Sequence, residues 1–283
     1  MSGTIDVTKT PATSVPAGRR TPRGGRRLGD RLLLGYVWLI IAWLLLPIVV
    51  MILFGFNDTQ SKSNVTWQGF TLQWWGRLDE YPQLLEAVRN SIYIAVLSTV
   101  ITTTLGTLLG LALGRYRFRG QGTTNLVMFA AIASPELVMG ASLLSLFISV
   151  GVQTGFATVV VAHVLFSLSF VAITVRARVI GLDRSIEEAA RDLGASTWIT
   201  FWRITFPMIL PGVLAGALLA FALSIDDFVI TQFTSGATQT FPLWIWGATR
   251  IGVPPQVNIL GTLIFAVGVA IAVVNTVTAR RRT

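Results

Sequence analysis

The sequence has no cysteine, a single histidine, His163, and only two lysines, Lys9 and Lys62, in 283 residues. The lack of thiols excludes disulfides, thiolate metal sites and cysteine nucleophiles, and one imidazole excludes a multi-histidine metal centre. Neither lysine ends a G-x-x-x-x-G-K-[ST] loop, so the sequence offers no phosphate cradle of the P-loop kind. No paired nucleophile and base points to a membrane-embedded enzyme. Charge is also scarce: 12% of residues are charged, against about 25% in an ordinary soluble domain.

What takes the place of charge is apolar surface. Hydrophobic residues make up 53% of the chain and the mean hydropathy is +0.67, which puts it in the membrane class. A helical span needs about 20 mostly apolar residues. Six stretches qualify, roughly residues 35–56, 91–114, 126–150, 155–175, 210–233 and 259–279. The net charge of +9 does not indicate nucleic-acid binding, because the basic residues sit in short segments between apolar runs rather than on one solvated module. With the N-terminus inside, 18 of the 22 Lys and Arg residues fall in inner segments, and only Lys62, Arg77, Arg89 and Arg250 in outer ones. The positive-inside rule therefore predicts cytoplasmic termini and a cytoplasmic loop at residues 176–209.

Residues 1–34 are rich in Pro, Gly, Thr and Arg without apolar periodicity, and a disordered basic tail is expected there, followed by one membrane domain over 35–283. A secretory signal does not fit, because the apolar run after the arginines is too long for an h-region. In the second span Ser98, Thr102, Gly106, Gly110 and Gly114 recur every fourth residue. Such a ridge of small side chains lets another helix approach closely; a pore-lining face is the alternative. The indoles Trp67, Trp74, Trp75, Trp244 and Trp246 lie in the outer loops, where interfacial anchoring or contact with an external partner would place them.

Three acids fall within expected spans: Glu136, after Ser134-Pro135, and the pair Asp226-Asp227. A carboxylate at mid-bilayer costs about 2.5–3.5 kcal/mol on insertion scales, so each needs a partner, protonation or a wet cavity, and a cationic substrate is one such partner. Pro135 is expected to kink its helix. On a continuous helix adjacent residues diverge by about 100°; Asp227 then joins Gly216, Ala220, Ser224 and Thr231 on a small or polar stripe and is the expected pathway residue. Asp226 is left to interhelical hydrogen bonds or the outer rim. His163, alone in the fourth span, is expected to be hydrogen-bonded within the packing.

The polar loop carries Glu187 and then Glu188-Ala189-Ala190-Arg191-Asp192-Leu193-Gly194, nine residues, and Ile204-Thr205-Phe206-Pro207. Ser185 and Glu188 fit a capping box, Gly194 a left-handed helix end, and Ser196 or Thr197 can cap a second short helix bearing Trp198, Phe201 and Trp202, closed by Pro207 and Pro211. The result is a helix–turn–helix unit with an apolar patch rimmed by charge, the mark of an interaction surface.

E-A-A-x-x-x-G, nine residues and I-x-F-P resembles the signature loop of ABC importer permeases, with Phe206 where Leu is usual. Arg89-Asn90-Ser91, Ser134-Pro135-Glu136, Val138-Met139-Gly140, Ser224 to Ile230, Phe233 to Gly236, Thr240 to Leu243 and Arg250 to Asn258 extend the likeness to the spermidine/putrescine importers, nearest to their second membrane subunit, over residues 30–279. The resemblance implies an all-α integral membrane fold of six transmembrane helices, of the type I importer permease kind, in a bacterial inner membrane. It implies that the loop, through Glu187, Glu188, Ala189, Ala190, Gly194, Trp198, Phe201 and Trp202, docks on an ATP-binding subunit present in two copies. A second permease and an external solute-binding protein complete the complex. ATP and Mg belong to the ATPase and no cofactor to this chain; the cargo is a polyamine passing Glu136, Asp227 and Asp226. Within the same class the solute is open to other cationic or amino-acid-like compounds, and an ion-coupled secondary transporter is the rival from another class.

Overall fold

The computed structural model describes residues 26–280; the expected tail lies outside them up to residue 25. Among the described residues the chain is helical, with one isolated bridge between Asn57 and Phe70. The helices are α1 (Arg26–Phe54), α2 (Pro82–Arg115), α3 (Gln121–Ala133), α4 (Glu136–Ser149), α5 (Phe156–Ile180), α6 (Ser185–Asp192), α7 (Thr197–Thr200), α8 (Phe206–Ile225), α9 (Val229–Thr234), α10 (Phe241–Ala248) and α11 (Pro255–Arg280). The part of the expected tail from Arg26 onward is thus helical. The described residues up to Val50 form a unit of their own, an apolar helix with exposed side chains such as Leu32, Trp38, Trp43 and Leu46.

In the second unit α2, α5 and α8 pack against one another. The ridge on α2 explains how two helices come so close. A methyl group added at Gly106 would lie 2.7 Å from Val171 Cγ1, and one at Gly110 would lie 2.7 Å from the Ala172 carbonyl oxygen. The ridge therefore faces α5 of the same chain. Val171, Val175 and Val179 from α5 and Ile209, Val213 and Ala220 from α8 form the core between them.

Two expected spans are corrected. The stretch 126–150 is two helices, α3 and α4, meeting at 109°. Ser134 is extended (φ −71°, ψ 132°), as the residue before a proline is driven to be, so Pro135 breaks the helix instead of kinking it. The stretch 210–233 is displaced. Thr197–Ile225 runs as one 29-residue apolar helix, so Pro207 and Pro211 do not close the short helix before it. A π-turn at Phe201–Thr205, in which the Phe206 amide bonds the Phe201 carbonyl, carries the chain into the first turn of α8, where the missing amide of Pro207 is tolerated. The helix then ends at Ile225, and α9 starts again at Val229 after a break containing both aspartates.

Several outer-loop indoles are engaged within the chain. Trp74 Nε1 donates to the carbonyl of buried Asn57 at 3.0 Å, Trp75 packs on Phe56 and Trp244 sits edge-on to Tyr81.

Candidate coupling unit and acidic helix breaks

The polar loop folds as a short helix, a glycine turn and a second helix. The expected capping box at Ser185 does not form. The helix begins one residue earlier, with Arg184 at its N-cap, so the carboxylate in reach of the first free amides is Asp183, whose Oδ1 accepts from the Ser185 N–H at 2.9 Å. That bond holds the Asp183 carboxyl below its usual range. Gly194 has φ +86°. The Ala195 amide bonds the Ala190 carbonyl at 3.0 Å and the Gly194 amide bonds that of Arg191 at 2.9 Å, the paired bonds of a Schellman helix end. Ser196 caps the second helix, its Oγ accepting from the Ile199 N–H at 3.3 Å.

The two glutamates of this unit point differently. Glu188 is exposed, as is Ala189, whereas Ala190 is buried. Glu187 turns inward. Its Oε1 accepts from Thr205 Oγ1 at 2.7 Å and pairs with the Arg115 guanidinium at the end of α2, and its Oε2 lies 3.9 Å from Arg191 Nη2. Burial pushes the Glu187 carboxyl up, but the bond from Thr205 and the charge of Arg115 outweigh this and leave it lowered. Arg184 reaches back to the Arg115 carbonyl at 2.8 Å. One carboxylate thus ties the start of α6 to the end of α2 and the base of the long helix. On the other face Leu193 is 90% exposed and Trp198 70% exposed. Trp198 stacks edge-on to Trp202, with Phe201 and Phe206 beyond. Arg115 and Thr205 were not singled out by the sequence; the Thr205 signal lay inside the I-x-F-P motif, while nothing marked Arg115 among three loop arginines.

The acidic residues occupy the two breaks. Glu136 is exposed at the first turn of α4, and Asp226 is exposed at the end of α8. Gly140, one turn beyond Glu136, packs on α9, where an added methyl would lie 2.6 Å from Phe233 Cδ2 and 3.4 Å from Ile230 Cα. The two restarted helices therefore lie side by side. Asp227 is buried. Its Oδ2 accepts from the Thr231 amide at 2.7 Å and the Thr231 hydroxyl at 2.6 Å, and its Oδ1 from the Ile230 amide at 3.4 Å. The carboxylate thus caps the first turn of α9. His163, also buried, stands behind it, Nε2 3.3 Å from Oδ2. The helical stripe expected to carry Asp227 into a pathway ends at Ser224, because the helix stops before the aspartates.

A cleft of about 770 Å³ opens beside α9, lined in part by Gln232, Gln239, Trp246 and Arg250. Arg250 lies over the Trp246 ring at 5.8 Å, and this fixed positive charge makes the cleft a poor resting place for a polycation.

Residues 106–280 match the family described as binding-protein-dependent transport system inner membrane component. The chain is 38% identical over 250 residues to the spermidine/putrescine transport system permease protein PotC of Escherichia coli (strain K12), covering 88% of this chain and 94% of that protein. It is 38% identical over 247 residues to the putrescine transport system permease protein PotI of the same strain, covering 84% and 85% respectively. Its fold is similar to a chain of a bacterial ABC transporter involved in the import of the acidic polysaccharide alginate (TM-score 0.64, 17% identity, 93% of this chain and 99% of that one). It is also similar to a chain of the MetNI methionine ABC transporter in an inward-facing conformation (TM-score 0.60, 16% identity, 71% and 96%).

Proposed function

We infer the function of this chain from a premise that the matches establish: it belongs to the binding-protein-dependent transport system inner membrane components. It is a multi-pass permease of the bacterial inner membrane and a subunit of an ATP-driven polyamine importer. Its relatives are transport subunits, so hydrolysis of ATP falls to a separate subunit, alongside a second permease and an external binding protein.

A finer arrangement is consistent with the geometry. We assign six crossings to α1, α2, the bent pair α3–α4, α5, the long helix ending at Ile225, and α11, with both termini in the cytoplasm. The arginine distribution supports this orientation and puts α6 and α7 on the side where ATP is available. Two ATPase copies serve the complex, hold the ATP and Mg, and leave this chain without a cofactor of its own.

The observation that carries the mechanism is the Glu187 clamp. Leu193, Trp198 and Trp202 present an apolar face for a groove in the ATPase, with Glu188, Ala189 and Gly194 along its edge. Glu187 and Ala190 face inward, and Phe201 supports the tryptophans. Because Glu187 joins this unit to α2 and to the long helix, a displacement of the docked unit is passed to two membrane helices at once. Closure of the ATPase dimer then drives alternating access. Along the route, Glu136 and Asp226 are the exposed carboxylates available to a polyamine ammonium group, and Asp227 supports the break from behind.

The test is reconstitution of the full complex in liposomes with external spermidine. Uptake requiring both internal ATP and the ATPase is the expected result. Uptake that continues without the ATPase and follows an ion gradient would identify a secondary transporter instead.

A further inference from the structure

His163 is the one imidazole in the chain, it is 2% exposed, and the transport scheme above gives it nothing to do. Its ring touches both sides of the α8–α9 break from a third helix. Nδ1 lies 2.7 Å from Ser224 Oγ, in the last turn of α8, and Nε2 lies 2.9 Å from Thr231 Oγ1, in α9. Asp227, in the break itself, is 3.3 Å from the same Nε2.

The donors assign the tautomer. The Thr231 hydroxyl proton is committed to Asp227 Oδ2 at 2.6 Å, so the Thr231 oxygen is left as an acceptor and Nε2 must bring the proton. Nδ1 then accepts from the Ser224 hydroxyl, whose oxygen accepts from Ser98 of α2 at 3.1 Å. The result is a one-way chain of donors, Ser98 to Ser224 to His163 to Thr231 to Asp227, with Nε2 also 3.3 Å from the same carboxylate. Every member is buried, and in a low-dielectric interior each bond is strong when made and costly when lost.

We propose that His163 is the positioning residue of the acidic break: by holding Ser224, Thr231 and Asp227 together it fixes where α8 stops and α9 restarts, and so fixes the direction in which the neighbouring Asp226 is presented to a cationic substrate. Asp227 is spent inside the fold as the partner of His163, and Asp226 is left free to meet the cargo. The two adjacent carboxylates therefore have different tasks, set by one imidazole. The substrate half of this inference rests on the transport reading; the structural half does not.

The experiment has two arms, both on the complete complex. The first follows amide hydrogen exchange at Ile230 and Thr231, whose N–H groups bond to Asp227. His163→Ala should speed their exchange by at least about tenfold, the loss of roughly one buried hydrogen bond, while amides in the middle of α2 stay protected. The second follows spermidine uptake. His163→Ala should raise the KM by about tenfold with a smaller change in maximal rate. His163→Gln places an amide donor where Nε2 stood and should recover most of the affinity; His163→Asn supplies only the Nδ1 side and should not. The double variant with Asp227→Asn should be hardly worse than either single one, since the two residues act as a unit.

Unchanged exchange at Ile230 and Thr231 in His163→Ala, equal damage from Gln and Asn, or additive effects with Asp227→Asn would each overturn the proposal. If His163→Ala fails to assemble, the contrast between Gln and Asn decides it alone. A wild-type complex that takes up no spermidine sinks the transport reading, and the exchange arm still decides the role of His163.

Discussion

Thr205 donates a 2.7 Å hydrogen bond to Glu187, eighteen residues earlier in the chain, and Arg115 meets the same carboxylate oxygen from the end of α2. Two helices long and apolar enough to cross a membrane and one that lies in the polar loop thus converge on a single side chain. A bond from an ionised group is worth about 1.5–3 kcal/mol, and here the Glu187 side chain is only 13% exposed. Glu187→Gln should therefore lower the stability of the complex by about that amount at neutral pH, read as a fall in its thermal midpoint.

The same carboxylate sets a pH dependence. Its pKa is lowered in the folded chain, so its contribution is complete above the unfolded value of about 4.3 and is lost as pH falls through the lower folded value. The gap in thermal midpoint between the native complex and Glu187→Gln should stay flat from about pH 6 to 8 and close below about pH 4. A gap that widened in acid would mean the clamp is not ionic.

The exposed side of the loop calls for a different outcome. Trp198 is 70% exposed beside Trp202, so removing it should cost the isolated permease little. At an interface a buried tryptophan is worth about 2 kcal/mol or more. Trp198→Ala should weaken ATPase retention on the permease by at least about thirtyfold, measured by dissociation of the labelled ATPase. Glu188→Lys, on the same unit, should separate ATP hydrolysis from uptake while leaving the helix bundle folded. Normal uptake in Glu188→Lys would remove that residue from the docking surface.

Much of this unit was legible in the sequence, because its signals are local. Gly194 ends a helix for a reason internal to six residues, and the Ser196 cap needs only Ile199. What was hidden depends on distant partners. Nothing near Arg115 in the chain says that it will meet Glu187, and nothing near Ser224 says that His163 and Ser98 will hold it. The helix breaks were half legible: Pro135 marked one, while Asp226-Asp227 was read as part of a continuous helix. Propensity alone does not stop a helix at two aspartates: Asp227 caps the restarted helix through Thr231, only four residues on, but the imidazole that holds Ser224 and Thr231 on either side of the break comes from a distant helix. The start of α6 is open in the sequence for a local reason: Asp183, Ser185 and Glu188 all offer capping chemistry, and it is Asp183 that takes the Ser185 amide.

The small-residue ridge makes a prediction about packing alone. At Gly110 an added Cβ would lie 2.7 Å from the Ala172 carbonyl oxygen and 3.0 Å from Val175 Cβ. The first of these is backbone and cannot swing aside. Gly110→Val should destabilise the bundle by about 1–3 kcal/mol, the usual cost of overpacking. Gly122, where an added Cβ meets nothing within 4 Å, should tolerate alanine; equal losses at both positions would show that the α2–α5 approach is not what limits stability.

The adjacent aspartates offer the sharpest contrast, because two chemically identical substitutions one residue apart should give different phenotypes. Asp227→Asn removes a negative charge that accepts bonds from two amides and a hydroxyl and faces an imidazole at 3.3 Å. Its loss should lower stability by about 1.5–3 kcal/mol and reduce the amount of assembled complex. Asp226 is exposed, and Asp226→Asn should change stability by no more than about 0.5 kcal/mol while raising the KM for spermidine. Comparing thermal midpoints with uptake kinetics for the pair separates the roles directly. Were Asp227→Asn as stable as the native complex and impaired only in KM, then Asp227 would be the residue that meets the substrate, and the division of labour argued from burial would be reversed.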